Sequence, residues 1–466
     1  MISSKNPPAA PQVVQTHGHT PRLWRDRSII FFANVLAGFF ENEELAALLK
    51  KEISGADSYG GRLLPIMGLL FAGGKNLLVL EREPDAALTA YFKDDLGLNL
   101  PEISLLTYPE YLELGTALRG GDSVPLPFPQ QLNDWQNHPA DTLDGYVTDE
   151  IIATLARQLG KRTLSTSQGS KQGNNKLLLH QHLEKSGLPV FKTRLATGPD
   201  DVQRCLDELA ALGYESAVVK SQIGASGIGL MKLCTKGSGE AVPELFFYEG
   251  PCMVQGWIRP GMNDITHVFS PSVQMFLDHE SVYLYDLTEQ ILSQDSVHQG
   301  NESPPPYLAD FPGLKEELFR QASTAGTWLH EQGYRGTASV DYLVAALETA
   351  GAFRAYSCEI NARVTGATYP SVLARHYFPA GAWLMRNLKL SLPLAGSTIL
   401  KLLEDHRHLF HPDRAGGILP INFNLTPDGL VEKGQFLCLG ESTAECHAML
   451  QRAEEDLPLD WEYVRD

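Results

Sequence analysis

The sequence predicts an α/β (α+β) protein in which an open α/β N-terminal domain precedes a larger domain of mixed sheets. Between residues 28 and 159, short apolar strands alternate with helical stretches. Further on, a strand ending in Lys220 runs into a glycine-rich loop, and two strands that each carry an acid flank a turn near Gly351. Alternating strands and helices build an open parallel layer, whereas two strands joined by a short turn must pair antiparallel.

The elements follow in order. Residues 28–32 read as a buried strand, 41–51 as a polar-faced helix, 77–81 (LLVLE) as a second strand and 103–107 as a third. The proline-rich stretch 124–139 reads as a long loop and 149–159 as a helix. Residues 165–175, dense in Ser, Gln, Gly and Asn, read as a connector. A helix over 176–186 closes at Gly187 with Pro189 just beyond, and another over 200–212 sets Val202, Leu206 and Leu209 on one face. A short strand at 217–220, an exposed turn at 304–306 and a helix over 314–332 complete the reading. The expected organisation is a flexible tail (1–22), an N-terminal domain (23–165) and a C-terminal domain (166–466). The last divides into a lid (187–260) and a metal- and substrate-binding part (261–466) with a C-terminal extension.

Composition narrows the function. With 43% hydrophobic and 20% charged residues the 466-residue chain is ordinary globular protein, which excludes disordered and collagen-like classes. Its 38 basic and 56 acidic residues leave a net charge of −18, which repels phosphate backbones and anionic membranes, so neither is an expected partner. Cys205, Cys234, Cys252, Cys358, Cys438 and Cys446 include no CxxC pair, excluding a zinc ribbon and suiting a reducing cytoplasm. The first 20 residues lack a signal-peptide core, and the longest apolar run, 29–40, is broken by Asn34 and falls short of the ~20 residues of a membrane span. A cytoplasmic protein is expected.

Three segments carry chemistry. Lys220 is followed by Gly224, Ser226, Gly227 and Gly229; small residues let backbone N–H groups approach an anion, and the lysine adds a point charge. This can cradle a phosphate, although in isolation such a loop is also a plain hairpin turn; it is neither a Walker A loop nor GxGxxG. The stretch 252–258 (CMVQGWI) ends a buried strand where backbone groups can meet a purine edge, and by itself is equally a core strand. In the third segment, Asp341 and the run Glu359-Ile-Asn361-Ala-Arg363 stand on either side of the turn. Alternation puts Glu359, Asn361 and Arg363 on one face, with Cys358 and Ile360 expected in the core. A hairpin centred on Ala350 sets Asp341 opposite Glu359. Facing carboxylates repel unless a cation lies between them, and hard oxygens suit Mg²⁺ bridging substrate phosphates, with Mn²⁺ as a substitute.

In its order of elements the segment 165–400 resembles the ATP-grasp superfamily. The resemblance implies an ATP-grasp fold preceded by a pre-ATP-grasp domain, with ATP bound. It assigns Lys176 and Lys220 to the ATP phosphates, and Gly224, Ser226, Gly227 and Gly229 to the loop that closes over them. Gln255 and Ile258 fall at the adenine hinge, where many relatives have Glu at the first position, and Asp264 falls near the ribose. Asp341, Glu359 and Asn361 match the magnesium ligands, and Arg363 the arginine beside the reacting carboxylate; Arg363 and Lys220 are the implied catalytic residues. The N-terminal part, through FFANVLAGFF and GGRLLPIMGLLF, resembles the partner domain of pheganomycin-type peptide ligases. The turn Thr365-Gly366-Ala-Thr368 is then near the acyl group, either offering an oxyanion an N–H or simply joining strand to helix. Gln290 and His298 are both candidates for a position over the phosphates. His406, His408 and His411 have no metal-site spacing and read as a hydrated loop.

The resemblance implies an ATP-dependent ligase joining an amino-acid or peptide carboxylate to an amine through an acyl phosphate, in natural-product assembly. Three alternatives stay open: loading of an amino acid onto a carrier-protein thiol, a phosphotransfer enzyme of the same fold, and a nucleotide-binding regulator without turnover. Expected partners are small-molecule amino acids or peptides, with a carrier protein for the first alternative, and a homodimer as the commonest assembly.

Overall fold

The computed structural model describes residues 10–16, 18–20, 24, 26–52, 55–121, 126–225, 227–237, 240–293 and 298–460. Among them the strands form three sheets. The first is parallel: Ile29–Phe32, buried at all four positions, lies between Leu77–Leu80 and Thr142–Gly145, with Glu102–Leu105 outermost. Its crossovers include helices Glu43–Glu52 and Tyr108–Gly120, the second opened by a capping box of Thr107 and Glu110. Helix Glu150–Gln158 follows the last strand, capped by Asp149.

The second sheet is antiparallel, in the order Thr193–Ala196, Cys252–Gly256, Ser216–Ala225, Ile228–Cys234. Helix Val202–Ala211 covers one face, packing Val202, Cys205, Leu206 and Leu209 against Ala217, Val219, Cys252 and Val254. The third sheet runs Ile265–Phe269, Gly336–Leu347, Pro271–Leu277, Ser281–Leu292, His298–Ser303, Ala382–Leu394, Val431–Gly440, Gly417–Leu425. Phe353–Asn361 adds to Gly336–Leu347 as a hairpin partner, and helix Leu314–Glu331 packs beneath both.

Three expectations need correction. Residues 12–15, expected within a tail, form strand Gln12–Gln15 parallel to Ser281–Leu292, held by bonds such as Gln12 N–H to Glu280 O (2.8 Å). A four-residue edge strand is stabilised by main-chain pairing rather than by an apolar pattern, so its sequence signal is weak. The stretch read as a loop contains helix Pro129–Asn137, with Leu132 and Trp135 buried; proline at a first helical position starts a helix rather than breaking one. The stretch read as a connector contains helix Ser167–Gly173, whose cap, Thr166, accepts from Gly169 N–H. The expected domain start at Leu23 lies outside the described residues.

Asp286 ties the third sheet to helix Thr368–Tyr377. Its carboxylate pairs with Arg375 at 2.7 Å and accepts from Ser371 (2.6 Å), Ser303 (2.8 Å) and Trp383 Nε1 (3.1 Å). Both charged side chains are buried. Asp286→Ala strands the Arg375 charge and is expected to cost about 3–5 kcal/mol in equilibrium denaturation; a loss under about 1 kcal/mol would show the pair to be dispensable.

Candidate active site

Strands Gly336–Leu347 and Phe353–Asn361 pair with Asp341 opposite Glu359 and Ser339 opposite Asn361. The register shifts between Asp341 and Tyr342, so one residue of the second strand is extra. That residue is Cys358, and the bulge corrects the expectation that it enters the core. It is half-buried and interacts electrostatically with Lys220, while Ala355 and Ile360 join the cluster under the hairpin. Tyr356, Cys358, Glu359 and Asn361 therefore turn toward the second sheet.

The acids are held by an asymmetric set of partners. Asp341 accepts from Ser272 Oγ (2.6 Å) and Asn361 Nδ2 (3.0 Å), and Asn361 also reaches Glu359 Oε1 (3.5 Å). Glu359 pairs with Lys176 Nζ at 2.8 Å. Burial, then the Glu359 charge, push the Asp341 carboxyl up to about 7. At Glu359 burial acts the same way but is outweighed by Lys176, Arg363 and Lys220, and its carboxyl falls to about 2.

The strand that leads into the glycine-rich turn between Ser216–Ala225 and Ile228–Cys234 is tied to this cluster, while the turn's flanks, Ala225 and Ile228, pack on Leu36, Phe39 and Leu45. Lys176, first residue of helix Lys176–Lys185, donates to Gly224 O (2.9 Å), and Asn175 Nδ2 donates to Gln222 Oε1 (2.8 Å). Gly227 and Gly229 have φ of +81°, which a side chain would strain; Ser226 lies outside the described residues. Lys220 is half-buried above the Phe191 ring (5.6 Å), and its desolvation lowers its pKa. Phe191 in turn stacks on Tyr356 at 5.1 Å. Gln255 is buried on the adjoining strand and donates to Thr193 Oγ1 (3.0 Å), and Ile258 is half-buried just past that strand.

Arg363 is buried and donates to Asn174 Oδ1, the residue that ends helix Ser167–Gly173. Asn174 Nδ2 returns a bond to Ala362 O (3.2 Å). The stretch read as a connector thus orients the arginine. Tyr146, from the N-terminal sheet side, meets Arg363 as well.

The structure does not bring every candidate here. Asp264 pairs with Arg354 (3.3 Å) beside Ile265, whose strand partner Leu347 is six positions beyond Asp341, about 20 Å along the strand. Gln290 stands opposite Asn301, and His298 bonds Asn301 Oδ1 at 2.6 Å, with Gly366 packed against the His298 ring. Thr365 N–H donates to Thr368 Oγ1 (2.9 Å), which ties this turn to the first residue of helix Thr368–Tyr377. His406 and His408 pair with Asp456 and His411 with Glu404; among the described residues no three His, Cys, Asp or Glu side chains converge as a metal site. Sequence reasoning missed Phe191, Tyr356, Tyr146 and Asn174, whose side chains reach the site from four separate segments.

Asp341, Glu359 and the Asn361 amide oxygen are hard donors that fit a magnesium ion completing its shell with water and phosphate. Two carboxylates and an amide make an incomplete cage, as expected for an ion shared with a substrate. Lys176 joins Gly224 O to Glu359, and Lys220 lies within electrostatic reach of Glu359. The raised Asp341 carboxyl makes this pairing pH-dependent. Below pH of about 7 a cation must displace its proton, so magnesium affinity, read by calorimetry with ADP present, is expected to weaken about tenfold per unit. Asp341→Asn should weaken binding and flatten the profile, and an unchanged slope in that variant would exclude Asp341 as the titrating ligand.

No protein-family model matches the chain. Butirosin acyl-carrier protein–L-glutamate ligase from Niallia circulans is 26% identical over 202 residues, 42% of this chain and 44% of that protein. The chain thus matches under half of that relative's length. Among solved structures, N5-carboxyaminoimidazole synthetase from Staphylococcus aureus, complexed with ADP, superposes with a TM-score of 0.52 at 13% identity, over 94% of this chain and 99% of that one. Biotin carboxylase from Campylobacter jejuni, complexed with β,γ-ATP, gives 0.55 at 12%, over 93% and 92%. At these identities the likeness is one of fold. With the lid, the acid-bearing hairpin and the parallel sheet before them, the chain has the ATP-grasp fold, preceded by an open α/β domain.

Proposed function

We propose that this chain is an ATP-dependent ligase that activates a carboxylate as an acyl phosphate, releases ADP, and passes the acyl group to an amine. The observation that carries the reading is the convergence of Asp341, Glu359, Asn361, Lys176, Lys220 and Arg363 from four segments beneath one glycine-rich turn.

Magnesium, when bound, neutralises and aligns the terminal phosphates. Lys176 and Lys220 offset charge on the transferring phosphoryl group, and Arg363, fixed by Asn174, offsets charge on the reacting carboxylate. Lys176 also joins the lid to the metal face, since its ammonium meets both Gly224 O and Glu359. The turn covers the site and excludes water that would hydrolyse an acyl phosphate. Gln255, with Phe191 and Tyr356, supplies the wall for the base; Asp264 is proposed for the ribose only if the lid and hairpin close further. Gly227 and Gly229, both at positive φ, are assigned to the cover over the phosphates, and Ser226 to a hydrogen bond with them.

A second reading concerns the acceptor. The Niallia circulans relative is named for joining a carrier protein and L-glutamate, which supports a carrier thiol in place of a free amine, and with it a place in natural-product assembly. Both readings share the first half-reaction.

Glu359→Gln is expected to lower ADP release by about a hundredfold or more while the thermal melt is retained; near-normal turnover would remove Glu359 from the site. Hydroxylamine should trap the activated acid as a hydroxamate, and its absence during ADP release would point to transfer to another oxygen nucleophile. Intact-mass analysis of a holo-carrier protein incubated with ATP and an amino acid separates the acceptors: a shift by the acyl group identifies the thiol, and none the amine.

A further inference from the structure

A second polar cluster lies on the other side of Arg363, where the N-terminal domain meets the third sheet. Arg62 sits in the turn Ala56–Leu63 and is only 4% exposed. Its Nε donates to Tyr59 O (3.0 Å) and its Nη1 to Tyr369 Oη (2.8 Å), with the guanidinium 3.0 Å above the Tyr59 ring. Among the described residues no carboxylate pairs with it. Two of its five N–H groups are used, both on neutral oxygens. A buried cation that lacks an anion is costly to maintain, and a site that binds an anion recovers that cost.

Tyr369 makes the same point independently. It is 1% exposed, and its oxygen accepts from both Arg62 Nη1 and Gln435 Nε2 (3.0 Å). Both lone pairs are then occupied, and among the described residues nothing accepts its proton. A buried O–H and a buried guanidinium share one unmet need, a hydrogen-bond acceptor bearing negative charge. The Gln435 Oε1 beside them is buried without a donor among the described residues.

The surroundings add positive charge. Burial, then Arg62 and Lys433, lower the pKa of His298, so the facing charged groups are cationic. Tyr146 stands within electrostatic reach of both Arg363 and Arg62, which places this cluster next to the reacting centre. The turn that carries Arg62 is pinned in place. A Cβ on Gly61 would collide with Asn422 Oδ1, and Asn422 Nδ2 donates to Ser58 O (3.2 Å). A chain of net charge −18 thus keeps two buried guanidinium groups, Arg62 and Arg363, on either side of Tyr146.

We propose that Arg62 and Tyr369 form an anion subsite for a second carboxylate of the acid substrate, so that the enzyme activates one carboxyl group of a dicarboxylic amino acid at Arg363 while the other is held at Arg62. The assignment of the first carboxyl rests on the ligase reading above. The planar fork of a single guanidinium matches a carboxylate, and the unfilled Gln435 oxygen suits an ammonium or amide N–H of the same molecule.

The test is calorimetric titration of the full chain loaded with ADP and magnesium, using L-glutamate, L-aspartate, their amides and inorganic phosphate. At least one dicarboxylate should bind about a hundredfold more tightly than its amide. That preference should fall below about threefold in Arg62→Gln, and be partly kept in Arg62→Lys and in Tyr369→Phe. A melt of each variant reports folding, and Tyr369→Phe supplies the comparison should Arg62→Gln fail to fold. The proposal is overturned if neither dicarboxylate binds, if acid and amide bind alike, if phosphate binds as tightly as the dicarboxylate, or if Arg62→Gln keeps the full preference. Because binding is read without turnover, failure of the ligase reading shows separately, as absence of ADP release with every acid while the dicarboxylate still binds.

Discussion

The apposition of Asp341 and Glu359 is the constraint around which the site is arranged. Two half-buried acids on neighbouring strands repel each other, and each bears a desolvation cost. The protein resolves this asymmetrically. Glu359 keeps its charge through Lys176 and Arg363, and Asp341 rests on hydroxyl and amide donors with its carboxyl pKa raised. That arrangement leaves one strong anion and one group that completes the charge when a cation arrives. The bulge beside Glu359 also delivers Tyr356 and Cys358 to the same side, so the hairpin presents a ring and the carboxylate together.

Around that pair, each cation does two jobs. Lys176 links the lid to the hairpin, and Arg363 links the hairpin to the segment that leaves the N-terminal domain. The strand leading into the glycine-rich turn is consequently tied to the acid-bearing hairpin through one side chain. The N-terminal domain is more than a neighbour in this scheme. Through Tyr146 and Arg62 it supplies part of the wall on which the acid substrate would rest. A strongly acidic exterior and a locally cationic cleft are compatible because screening confines the exterior field to about 8–10 Å, while buried charges are screened far less.

Strand and helix assignments that rested on unbroken apolar runs or on 3.6-residue spacing agree with the structure to within a few residues: Ile29–Phe32, Leu77–Leu80, Glu150–Gln158, Lys176–Lys185 and Val202–Ala211. The elements that were misread, Gln12–Gln15, Pro129–Asn137 and Ser167–Gly173, are short and polar. Their stability comes from main-chain pairing at a sheet edge, from two buried side chains, or from a cap and packing, none of which makes a periodic pattern. Pairing of Asp341 with Glu359 was legible because a hairpin's register follows from its turn. The bulge was not, since one inserted residue leaves no mark on composition.

The sequence by itself determined the class of chemistry: two acids and an amide at fixed offsets around a turn, and a lysine ahead of a glycine run, are local facts of spacing. The tertiary structure decided which distant side chains complete that chemistry. Asn174 reaches Arg363, Phe191 meets Tyr356 and Lys220, and Arg62 meets Tyr369 across 307 residues of chain. Contacts of that kind depend on how sheets pack against one another, and packing is set by the summed fit of many side chains rather than by any pattern that a single segment displays.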